Sequence, residues 1–141
     1  MFRNSRRTGP VAILAAFVAQ ATSAAAAAAP EHMAAAPCTP GVCVIKVFVD
    51  DCRQEGGIRL DKPLVEVDRA VNMRWEIKTK GFVFAANGIE LQPHDSQFRV
   101  QHSPRPDEFR LHNAKARAGD FYYFVNVEGC RPHDPWIRNR P

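Results

Sequence analysis

Short apolar runs that alternate with polar residues dominate the chain beyond residue 40. Val71, Met73, Trp75 and Ile77 interleave with Asn72, Arg74, Glu76 and Lys78, the period-two pattern of a strand with one buried and one wet face. Residues 43–49 form a β-branched run. A turn-rich stretch with Gly56-Gly57 separates it from two short apolar runs, 58–60 and 64–67. Residues 82–84 and 89–91 read as two more strands, with Asn87-Gly88 between them as a hairpin signal. Runs 98–101 and 109–112 flank the turn-forming residues 103–107. In 121–127 apolar residues fall on both faces, Phe121, Tyr123, Val125 and Val127 on one, Tyr122 and Phe124 with Asn126 on the other, as in a central strand. Beyond residue 40 the only helical expectation is a single turn over 113–118, before Gly119. Short strands at this spacing predict an all-β domain, an antiparallel two-sheet β-sandwich.

The first forty residues follow a different pattern. Arg3, Arg6 and Arg7 precede an apolar run over 11–20, and small residues follow at Ala19-Gln20-Ala21 and Thr22-Ser23-Ala24. This is the order of a secretory signal peptide, expected over residues 1–21 with cleavage between 21 and 26. The run is shorter than the roughly 20 apolar residues a spanning helix needs. Arg6-Arg7 is followed by Thr8-Gly9-Pro10 rather than by a large apolar residue, which favours the general secretory route. Residues 22–41, rich in Ala and Pro, read as a disordered tether, and the folded domain is expected over 42–141. The mature protein is then periplasmic or secreted.

Export alters the charge argument. The chain carries 19 basic and 15 acidic residues, net +4; cleavage after Ala21 removes three arginines and no acid, leaving 16 against 15, net +1. Signs are interspersed, so the sequence implies neither nucleic acid nor, once the signal is removed, a membrane surface. Four cysteines remain, Cys38, Cys43, Cys52 and Cys130, and an even count in an oxidising compartment reads as two disulfides with three pairings open. The favoured pairing is Cys38 with Cys43, across a Thr-Pro-Gly-Val turn, and Cys52 with Cys130, tying the start of the domain to its end.

Few residues suggest chemistry. Ser96 and Ser103 lie in turns without a glycine elbow. Asp50-Asp51, Asp107-Glu108 and Asp134 have turn contexts, and no carboxylate pair is spaced for acid–base work. His102 and His112 could face each other across strands and take a metal with His94, whereas isolated histidines, His32 included, are ordinarily just solvated. Trp75 reads as core, and Trp136, after Pro135, as a core cap or an exposed contact residue. No catalytic, cofactor or metal site is assigned. The expectation is a non-enzymatic binding or interaction module that meets an unknown protein or small-molecule partner at residues 82–88 and 130–136, of unspecified oligomeric state.

Gly119-Asp120-Phe121-Tyr122-Tyr123-Phe124 followed by Cys130-Arg131-Pro132-His133 resembles the last strand and loop of the cupredoxins, small blue-copper proteins. That likeness implies a cupredoxin-like sandwich and, as the alternative function, periplasmic copper binding or electron transfer through Cys130 and His133, since a soft thiolate beside an imidazole suits copper. The copper set is incomplete in the sequence: no Met follows His133, the loop before Asn87 has no His, and residues 125–129 lengthen the approach to Cys130. A second set of matches is Asp51-Cys52 with Gly56-Gly57-Ile58-Arg59, Trp75-Glu76-Ile77, Gly81-Phe82-Val83-Phe84, Asn87-Gly88-Ile89 and Asp134-Pro135-Trp136-Ile137-Arg138-Asn139. These, with Phe121-Tyr122-Tyr123, resemble a group of small exported proteobacterial proteins, and the likeness implies a cupredoxin-like or immunoglobulin-like sandwich and export, and carries over no active-site residue.

Overall fold

A computed structural model describes residues 27–38 and 40–141; the expected signal peptide lies outside them. Ten strands form a sandwich of two five-stranded sheets: β1 (Ala35–Pro37), β2 (Val42–Val49), β3 (Ile58–Leu60), β4 (Leu64–Val67), β5 (Val71–Ile77), β6 (Phe84–Gln92), β7 (Phe98–Gln101), β8 (Glu108–Asn113), β9 (Gly119–Val127) and β10 (Trp136–Asn139). Sheet A has the order β1-β4-β10-β9-β6 and sheet B the order β3-β2-β5-β8-β7. The expected all-β sandwich is therefore present, with a correction. The sheets are mixed rather than antiparallel, because β1 and β10 both run parallel to β4, and β2 runs parallel to β5.

The alternating apolar residues of β2, β5, β8 and β9 meet between the sheets, where Ile45, Val47, Met73, Trp75, Leu111, Tyr123, Val125 and Ile137 are essentially inaccessible. Trp75 of sheet B and Tyr123 of sheet A join the layers: the rings meet edge to face at 5.4 Å, and the indole Nε1 donates to the Tyr123 hydroxyl at 3.0 Å. Burial pushes the Tyr123 phenol well above its ordinary value. One end of the core is polar. Asn139 of β10 donates to Gln97 Oε1 (3.0 Å) and to the Arg117 carbonyl (3.0 Å), and accepts from Asn113 of β8 (2.8 Å). Asn113 in turn accepts the Lys115 N–H, so these buried amides are satisfied and lock the two sheets together. Asn113 ends β8, and residues 114–118, part of the segment where a helical turn was expected, are irregular, with Lys115 at φ 48°.

Both disulfides join as favoured, Cys38 to Cys43 and Cys52 to Cys130. Two such bonds indicate an oxidising, non-cytosolic environment. Among the described residues no helix is long and apolar enough to cross a membrane.

The expected tether is part of the fold from at least Ala29. The Ala29 N–H donates to Asp120 Oδ2 at 2.8 Å, Ala29 is buried, and residues 35–37 add to the sheet beside β4. Asp120 alternates with inward-facing Phe121, so this strap lies on the outer face of sheet A. Leu64 there is only 1% exposed yet stands outside the cluster that fills the space between the sheets. Its row across the sheet runs Ala35, Leu64, Trp136, Tyr122. Arg138 bridges Asp120 (2.8 Å) and Glu66 (3.6 Å) in the next row. Its hydrogen bonds, with that of the Ala29 N–H, hold the Asp120 carboxyl below the usual carboxylate range against the opposing effect of burial.

Candidate functional site

The sandwich closes unevenly. On one side β6 ends sheet A and β7 ends sheet B, and between these two edges lies a cleft of about 410 Å³. Ile89 and Leu91 form its β6 wall, Phe98 and Val100 its β7 wall, and Phe109 and Leu111 of β8 its floor. Gln92, His94 and Asp95 stand at one end and Asn87 and Glu90 along the rim, with Asp95 engaged by Arg117 and Glu90 accepting from Asn87 at 3.1 Å.

Hydrogen-bond alternation determines what the walls offer. Tyr123 and Val125 donate toward Pro135 and His133, so Tyr122 and Phe124 face β6 and pair with Gln92 and Glu90. Ile89 and Leu91 therefore turn their backbone N–H and C=O away from β9, toward the open side. On β7 the Ala114 N–H donates to the Gln97 carbonyl, which assigns Arg99 and Gln101 to the β8 side and aims the Val100 N–H and C=O outward. Val100 faces inward beside Leu111, but sheet A stops short of it and leaves it 65% exposed.

Asn87-Gly88, expected to turn the chain between two strands, instead forms an irregularity inside β6, between Phe84 and Ile89. A type I′ hairpin needs positive φ at both central residues, and neither Asn87 nor Gly88 has it. Gly88 serves close packing: a Cβ there would lie 2.8 Å from the Phe109 ring and 2.9 Å from Phe84 Cβ. Asn126 holds the irregularity by donating to the Asn87 carbonyl at 2.8 Å. Gly88→Ala is expected to cost about 1–3 kcal/mol by overpacking and to displace Phe109 into the cleft. Urea denaturation checks the first effect, and an unchanged midpoint would contradict it.

The residues singled out in the sequence lie largely elsewhere. Phe84 and Gly88 are buried in β6, and Phe82 packs against the core. Residues 133–135 extend the β9 ladder toward β10, with Pro135 buried and His133 bridged to Val125. Of the two segments expected to meet a partner, the first sends exposed Ala86 and Asn87 to the cleft rim, and the second keeps Arg131, Pro132 and Asp134 exposed away from it. Cys130 is bonded to Cys52 and no cysteine is free, so the thiolate that a type-1 copper site needs is not offered beside His133. Burial pushes the His133 imidazole below its ordinary value, against the nearby Asp134 carboxylate. The register sets Arg99, not His102, opposite His112, whose Nδ1 lies 2.7 Å from Asn72 Oδ1. His94 is at the cleft, and among the described residues no three His, Cys, Asp or Glu side chains converge on one point. Trp136 lies on the outer face of sheet A against Tyr122, 5.4 Å between rings. Sequence reasoning missed the cleft because its walls come from separate segments. Its one local signal is Val100, an apolar residue between Arg99 and Gln101.

No protein-family model and no curated protein matches the chain.

Proposed function

We propose that this is an exported, non-enzymatic binding module of the periplasm or the medium, and that it takes an extended segment of a partner protein along the β6 wall of the cleft. The reading is carried by the union of an apolar floor with backbone groups that find no partner among the described residues: Ile89 and Leu91 present N–H and C=O to the open side of the cleft floored by Phe109 and Leu111. An added strand would make backbone bonds to that edge and place alternate side chains on the floor, the mode known as strand addition. The arginine-led n-region and apolar run before residue 21, together with the two disulfides, support export.

The test is amide chemical-shift mapping of the ¹⁵N-labelled exported protein titrated with seven-residue peptides of alternating valine and threonine. Shifts centred on Ile89, Leu91 and Leu111, and abolished by Leu91→Lys in a still-folded protein, are expected. Shifts confined to other surfaces, or none with any peptide, would remove the proposal. N-terminal sequencing of the exported chain checks the other half, with the first residue expected between 22 and 27.

A further inference from the structure

Among the described residues the sandwich has four edge strands, and they are not equally protected. β1 and β3 are three residues long. β3 carries an outward Arg59 over Phe48 (4.7 Å) and is followed by Asp61, whose carboxylate takes the Lys46 N–H. β6 has its irregularity and looks into the cleft. β7 is four residues long and has no bulge; it carries one charge, Arg99, and it bears Val100, the most exposed large apolar residue among those described. Soluble proteins ordinarily guard an edge against pairing; the single Arg99 leaves Val100 bare, and that residue calls for an occupant.

The geometry points to a second copy of this chain, its β7 paired antiparallel with the first about a twofold axis through Val100. This register follows from residues already placed. The Val100 N–H and C=O point outward, so two copies of Val100 exchange both backbone bonds as a hydrogen-bonded pair. Their side chains, on the same face, cover each other. Arg99 then stands opposite Gln101 of the second copy, twice, with no like charges opposed. The contact is isologous and closes at two copies, because the far edge of the joined sheet is the short, charged β3 on both ends. The axis is perpendicular to sheet B, so both A sheets lie on one side and the two clefts open into one trough floored by the paired valines. The pairing is argued from β7 alone and stands whether or not a peptide binds β6.

A single strand pair is a small interface, of the size that gives transient association, so the dimer is expected in the micromolar to millimolar range. Sedimentation velocity of the exported protein without peptide, from about 10 µM to about 1 mM, should show a monomer–dimer equilibrium. Val100→Lys should raise the dissociation constant about tenfold or more while circular dichroism and melting temperature stay unchanged. Gln101→Glu places a carboxylate opposite Arg99 of the copy and should tighten the dimer several-fold at low salt, with the gain lost in high salt, whereas Gln101→Arg should weaken it. A protein monomeric to the highest concentration overturns the inference, as does a dimer indifferent to Val100→Lys. A dimer that responds to Val100→Lys but not to either change at Gln101 overturns the register.

Discussion

Replacing Cys52 and Cys130 together by serine is expected to lower the unfolding free energy by about 4 kcal/mol, the chain-entropy value for a long closed loop. The two residues are 78 apart in sequence, and the bond joins the turn after β2 in sheet B to the turn after β9 in sheet A. The Arg131 N–H donates to the Cys52 carbonyl at 3.0 Å beside it, so the two turns are already in register. The Cys38–Cys43 bond spans only five residues and by the same argument contributes about 2 kcal/mol. Urea titration of the two double-serine proteins compares them directly. Equal losses, or a greater loss for the short bridge, would show that loop closure is not the governing effect.

Trp75→Ala should cost about 3–5 kcal/mol, as for other large-to-small changes in a packed core. A protein of this size has roughly 5–15 kcal/mol in total, so the variant stands near the threshold of folding. Three losses coincide: the indole area, the edge-to-face contact with Tyr123, and the donor to the Tyr123 hydroxyl. Tyr123→Phe removes only the acceptor, leaves Nε1 buried and unpaired, and is expected to cost about 1–2 kcal/mol. It also has a distinct pH signature. The Tyr123 pKa is raised by folding, so its contribution is intact below the unfolded value of about 10 and is lost as the pH climbs toward the folded value, because only the unfolded chain ionises. Guanidinium titrations at neutral pH and above pH 10 should show this alkaline loss in the parent and a smaller one in Tyr123→Phe. The same slope in both proteins would assign the alkaline effect to other groups.

What could be read in the sequence was local. β5 follows from alternation alone, and β3, β4 and β7 from short apolar runs between turn residues. β9 was legible as interior because both its faces are apolar: one meets the core through Tyr123 and Val125, the other carries Tyr122 and Phe124. β1 was not legible, since Ala-Ala-Pro has no strand preference and becomes a strand only because β4 offers it an edge. β10 contributes one aliphatic core residue, Ile137, and its other inward residue is the amide hub Asn139. Polarity hid the pattern there. Parallel pairing of β2 with β5 depends on a crossover, and the cleft depends on where two separately built sheets end. Neither leaves a periodic trace in the chain.

The bond from Ala29 to Asp120 sets a limit on how far the chain can be shortened from its front. Losing residues up to 28 leaves that bond and the β1 edge in place. A domain cut at residue 42, where the alternating pattern begins, would bare the β4 edge, remove Cys38 and leave Cys43 as a lone thiol. The strap is thus a part of the domain that any shortened form has to keep.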